Sequence, residues 1–183
     1  MSLEAEGHRY LSDFTSLAQR CREQEFGFAE FRRQDTVIDL QWPADVLEQW
    51  VYDHSGNGSF LRDYQDLDLM LVAWQVEAHQ VETFMTIPTG PSDADAIEYF
   101  AENPEHWVAA RDQGEHLGVG LAWETHGTWK RWPIVIDRVL LDPAQQGLQL
   151  VEGRSRVGIL RGRRRRGLHV ADKHMAWVGR SRT

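Results

Sequence analysis

Over residues 8–34 the apolar positions recur with a helical period. Tyr10, Phe14, Leu17 and Cys21 fall close to one face and charged residues fill the rest, which predicts a helix with one buried side. Residues 36–40 form a short run rich in β-branched side chains. Pro43 opens a second helix carrying Val46, Leu47, Trp50 and Val51 on one face, and this helix should end near His54, before the turn Ser55-Gly56-Asn57-Gly58. In residues 63–88, Leu67, Leu69 and Leu71 alternate but Trp74, Ala78 and Val81 do not; the segment reads mainly as strands. Ser92 is placed to cap a helix whose stripe is Ile97, Phe100 and Ala101 and which stops at Asn103-Pro104.

The second half is richer in strand signals. Residues 107–123 resemble a hairpin with a turn at Asp112-Gln113-Gly114, because Leu117, Val119, Leu121 and Trp123 alternate with Gly118, Gly120 and Ala122. Glycine on that face suits a bulge or the close approach of a ligand. Residues 133–141 read as a continuous apolar strand, 142–147 as a turn, and 148–151 as another strand that leads through Gly153 into a helix. The predicted class is α+β, a mixed sheet with flanking helices. A single domain is expected over residues 1–183, with a helical and strand-bearing part at 1–125 and the core at 126–183.

Composition narrows the setting. Eight Trp, seven Phe and four Tyr supply ample apolar surface for a core. Cys21 is the only cysteine, so no intrachain disulfide forms. The longest apolar run, residues 69–74, is too short for a bilayer, and Glu4 and Glu6 stand where a secretory leader would be apolar, so a cytoplasmic location without membrane attachment is expected. Charge is unevenly spread within the net −8: residues 151–183 hold ten Lys and Arg against Glu152 and Asp172, a charge of +8, leaving −16 on residues 1–150. Either an anionic partner meets the basic end or the two regions neutralise each other.

The segment from Leu148 to Leu160 carries the most specific chemistry, in the order strand, glycine turn, helix. A helix start offers unpaired N–H groups and partial positive charge, a preceding glycine lets an anion approach, and Arg154 and Arg156 add forked donors. Exposed arginines beside a structural turn would leave the same pattern. Together with Trp132-Pro133-Ile134-Val135-Ile136, this stretch resembles the core of the ParB/sulfiredoxin-like superfamily. There a strand of this kind precedes a hydrophobic-V-x-G-x-x-R junction with a small residue two positions beyond the arginine; Gly153, Arg156 and Gly158 match those positions. The likeness covers about residues 130–162.

The resemblance implies a ParB-like, nucleotide-binding or phosphate-binding box holding a nucleoside triphosphate with Mg²⁺ or another phosphate ligand, with Arg156 as the gripping arginine and Gly153, Arg154 and Ser155 as the cradle. Arg154 stands where sulfiredoxins place their reactive cysteine, which argues against that reductase chemistry. Glu152 is the acidic residue at the box, so hydrolysis or phosphoryl transfer is left open.

The loop at residues 124–133 adds His126 as a candidate proton-transfer group beside Glu152, and Trp129 and Lys130 as candidate ligand contacts; alternatively Trp129 and Trp132 plug the core. Asp63, Asp66 and Asp68 suit either a divalent cation or a solvated edge. The eight histidines show neither i, i+4 nor H-x-H spacing, so no metal site is assigned. The run Arg161-Gly162-Arg163-Arg164-Arg165-Arg166-Gly167 reads as a nucleic-acid footprint or as a helix end closed by Gly167. The acidic body favours the second, because it repels a polyanion. A different class fits the charge polarity too: a non-catalytic interaction module, such as an antitoxin, immunity or regulatory protein, docking a charged protein partner through its acidic body or arginine-rich end.

Overall fold

The computed structural model describes residues 7–25 and 27–182, without the side chain of Glu115. Glu4 and Glu6 lie outside the described residues. The architecture is mixed α+β. Four strands, β1 (Val72–Gln80), β2 (Ile134–Asp137), β3 (Leu148–Glu152) and β4 (Lys173–Ser181), form one sheet in the order β1-β4-β2-β3. Pairs β1/β4 and β2/β3 are antiparallel, and β2/β4 is parallel.

Strand alternation divides the core into two layers. Ile134 and Ile136 of β2, Val151 of β3 and Val72 of β1 face a cluster built with Phe14, Phe31, Trp42, Trp50 and Tyr64. Val135, Leu150, Ala176 and Val178 face a second cluster with Phe84, Trp123, Trp129, Val157 and Leu160. Successive strand side chains point to opposite faces, so β2 and β3, apolar on both, must be covered on both. The first layer is made by α1 (Thr15–Glu23), α2 (Gly27–Phe31), α3 (Asp35–Ile38), α4 (Ala44–Val46, continuing as a π-helical segment Leu47–Tyr52) and α5 (Gly58–Tyr64). The second is made by α6 (Val81–Thr86), α7 (Ala96–Glu102), α8 (Pro104–Arg111), α9 (Val119–His126) and α10 (Arg154–Arg165).

Several expectations need correcting. The helix over residues 8–34 is divided into a 3₁₀ turn, α1 and α2; α1 ends near Glu25, whose φ of 60° is left-handed, and α2 packs back on α1. Residues 36–40 lie in and just after α3, which Asp35 opens. Of residues 63–88 only Val72–Gln80 is strand. Ser92 does not cap α7, since its hydroxyl donates to Asp63 at 2.6 Å and Asp95 is the N-cap residue. The strand predicted over residues 133–141 stops at Asp137, whose carboxylate accepts from the Val139 N–H and turns the chain into a 3₁₀ turn.

The hairpin at residues 107–123 is two helices, α8 and α9. The Asp112 carboxylate accepts from the backbone N–H groups of Gly118, Val119 and Gly120 and so supplies α9 with the acceptor its first turn needs. A side chain on Gly120 would stand 2.8 Å from that carboxylate, which accounts for glycine there. The helix after Gly153 is present, and Gly167, with φ of 69°, follows its C-cap as expected.

His174 of β4 ties the two halves of the second layer together. It is 1% exposed, its Nδ1 lies 2.8 Å from the Thr128 hydroxyl, and its ring lies against Trp129 and Phe84. Burial pushes its pKa down from 6.5 to about 4. Between those values the unfolded chain binds a proton there and the folded chain does not, so stability falls as pH drops through this window. Urea melts from pH 6.5 to 4 should show a His174 contribution of up to about 1.4 kcal/mol per pH unit, absent from His174→Asn.

Candidate functional site

Helix α4 lays Asp45, Gln49 and Asp53 along one wall of a cleft, because residues four apart share a helical face. The π-helical segment Leu47–Tyr52 carries Gln49 and ends just before Asp53, and such segments often mark working surfaces. The end of β3 and the start of α10 add Glu152, Ser155 and Arg156; the loop before β2 adds Trp129, Lys130 and Arg131; α8 and α9 add Arg111, Val119 and Trp123. The cleft encloses about 620 Å³, enough for a small metabolite or nucleotide.

Most of its charges are paired within the protein. Arg131 donates to Asp45 at 2.6 Å and to Glu48 at 2.5 Å. Arg156 donates to Gln49 Oε1 at 2.7 Å, to the carbonyls of Arg131 and Trp132 at 3.2 and 3.4 Å, and to Glu152. Its guanidinium therefore pins three chain segments together, and burial lowers its pKa. The Asp53 carboxylate opens onto the cleft without a hydrogen-bond or ion-pair partner among the described residues, yet partial desolvation in the cleft, then Glu48 and Glu152, pushes its pKa up to about 6. His54 stacks on Phe60 with ring centres 4.0 Å apart, and burial lowers its pKa.

The expected site residues are thus only partly brought together. Glu152, Ser155, Arg156, Trp129 and Lys130 line the cleft. Trp129 is also 4% exposed and donates to the Met175 carbonyl at 2.9 Å, so it is core and wall at once. Lys130 donates to the Leu117 carbonyl at 2.6 Å. Arg154 turns away from the cleft, donating to Thr89 at 3.1 Å, pairing with Asp93 at 3.2 Å and lying over the Phe60 ring. His126, at the exposed end of α9, is not among the lining residues. Gly153 has φ of 106°, and a Cβ there would stand 2.6 Å from Pro133 Cβ, so both backbone and packing require glycine at this junction.

Two other candidates have structural employment. Asp63 accepts from Ser92, and Asp68 accepts from His8 and from the Arg9 and Met70 N–H groups. In the arginine run, Arg161 and Arg165 engage Glu98, Arg163 engages Glu105, Arg164 lies 3.8 Å from Glu82, and Arg166 donates to the Glu102 carbonyl. Much of the basic end is therefore neutralised by the acidic body. Among the described residues, no group of three or more His, Cys, Asp or Glu is arranged to hold a metal, and no helix is long and apolar enough to cross a membrane.

Asp45, Gln49, Asp53, Arg111 and Arg131 complete the cleft and were not anticipated. The four-residue spacing of Asp45, Gln49 and Asp53 on a predicted helix was the available signal. No protein-family model matches the chain, and neither does any curated protein or solved structure.

Proposed function

We propose that the cleft at the start of α10 binds a small phosphate-bearing molecule, with a nucleotide as the first candidate. The observation that carries this reading is the opening of a twelve-residue helix, through Ser155, into a cleft of about 620 Å³ that also presents Arg111 and Lys130. The first N–H groups of that helix have no partner within it and carry its positive end. The likeness of the β2, β3 and Gly153-x-x-Arg156 segment to the ParB/sulfiredoxin-like phosphate box supports the same assignment, and Mg²⁺ would accompany a triphosphate. Arg156 serves here as the brace that holds the helix start against α4 and the Trp132 loop, while ligand charge falls to Arg111, Lys130 and the α10 backbone. With Glu152 held by Arg156 and His126 away from the lining, binding rather than turnover is the part of this reading the residues favour.

Titrating ATP, GTP and their diphosphates with Mg²⁺ into the protein by calorimetry should give binding in the micromolar to millimolar range. Ser155→Glu should abolish it while keeping the fold, because a carboxylate in the first turn suits the helix dipole but repels an anion. Absence of binding by every nucleotide up to several millimolar would remove the nucleotide assignment.

A further inference from the structure

Once the internal pairs in the cleft are accounted for, one guanidinium and one carboxylate remain. Asp45 is held by Arg131, Glu152 by Arg156, and Lys130 donates to Leu117. The Arg111 guanidinium lies over the Phe100 ring and, like the Asp53 carboxylate, makes no side-chain hydrogen bond or ion pair with a described residue. We infer that the cleft accepts a ligand of two opposite charges, an ammonium or similar cation held at Asp53 and an anionic group held at Arg111 and the start of α10. The anionic half rests on the function proposed above; the cationic half is new.

The surroundings of Asp53 favour a cation over a neutral donor. Glu48 on its own helix and Glu152 from β3 add negative potential there. Arg131 and Arg22 face the same region from the loop before β2 and from α1, but Arg131 is committed to Asp45 and Glu48, and Arg22 donates to the Tyr52 carbonyl. Both guanidiniums moderate that potential, but neither forms an ion pair with Asp53, so a ligand cation gains attraction there without breaking an internal pair. Val119, Trp123 and Ile159 also line the cleft and give it an apolar portion suited to a short hydrocarbon spacer. The ligand class is therefore a small amino-phosphate.

Matched probes separate the two halves. O-phosphoethanolamine and 3-aminopropyl phosphate should each be compared by NMR titration at pH 7.5 with ethyl and propyl phosphate, which keep the phosphate and lack the amine. At least one amine-bearing probe should bind about tenfold tighter than its alkyl counterpart. Asp53→Asn should erase that preference while leaving alkyl phosphate binding equal or stronger, and Arg111→Gln should weaken all four probes. Equal affinity within both pairs, or a preference that survives Asp53→Asn, would overturn the inference and leave phosphate binding standing. Failure of all four probes to bind at tens of millimolar would overturn phosphate binding and the inference together.

Discussion

Gly158→Val is expected to lower stability by about 3 kcal/mol, a fall in Tm of roughly 10 °C for a chain of this size. A Cβ at Gly158 would run into Phe100 Cβ and stand 2.6 Å from the Ile97 carbonyl oxygen, while one at Gly162 would meet the Ala101 carbonyl oxygen and stand 2.9 Å from Pro104 Cγ. The two glycines lie one helical turn apart, so α10 approaches α7 and the start of α8 along a strip without side chains. Carbonyl oxygens cannot move aside as a flexible side chain can, and valine's two further methyl groups enlarge the clash. Gly58→Ala is the comparison, since a Cβ there meets only the Arg62 guanidinium at 3.4 Å and should change stability by less than about 0.5 kcal/mol. Thermal melts of the two variants beside the parent protein provide the check. Equal melts would mean that α7 and α10 can separate at little cost. Because α10 also carries Ser155 and Arg156, displacement of this helix should loosen the cleft as well.

The same glycine shows how far the sequence could be read. Its place two positions beyond Arg156 was legible as a pattern, but the reason for it, contact with α7, depends on a helix sixty residues earlier. Strands β2 and β3 and the helix after Gly153 were legible because their signals are local: short apolar runs, a glycine junction, then a helical repeat. The α8–α9 region misled for the opposite reason. Leu117, Val119, Leu121 and Trp123 do alternate, yet the Asp112 carboxylate gathers the N–H groups of Gly118, Val119 and Gly120 and starts a helix in spite of that alternation. A side-chain cap of this kind is invisible to periodicity.

The cleft divides along the same line. Glu152, Ser155 and Arg156 are neighbours in sequence and could be proposed together, whereas Asp53 and Arg111 come from different helices and meet the box through tertiary packing alone. The pattern also could not tell a ligand-gripping arginine from a bracing one. Arg154 and Arg156 differ by two positions, yet one joins the Thr89 and Asp93 side and the other ties β3 to α4. The opposed charges of the two regions turned out to be largely internal complementarity, with arginines of α10 meeting glutamates of α6, α7 and α8.

Within the arginine run, Arg161→Ala should cost about 3 to 5 kcal/mol, whereas Arg164→Ala should cost less than about 0.5 kcal/mol. Arg161 is 7% exposed; its guanidinium donates to the Phe84 carbonyl at 2.9 Å, the Ile87 carbonyl at 2.6 Å and Glu98 at 2.8 Å. Phe84 lies in the last turn of α6 and Ile87 just beyond it, where carbonyls have no helical partner, so this arginine from α10 supplies the donors that the end of α6 lacks. Truncation to alanine strips those buried acceptors and leaves a void along the side chain's path. Arg164, in contrast, is half-exposed and lies 3.8 Å from an exposed Glu82, a pair that solvent and salt screen. Arg165 first and Arg161 second hold the Glu98 carboxyl down to about 2. Protonation of Glu98 therefore favours the unfolded chain as pH falls from 4.5 towards 2, and losing Arg161 should reduce that acid sensitivity without abolishing it. Denaturant titrations of both variants at pH 7 and pH 3 measure the two effects together. Equal losses for Arg161→Ala and Arg164→Ala at pH 7 would show that the run acts only through its summed charge.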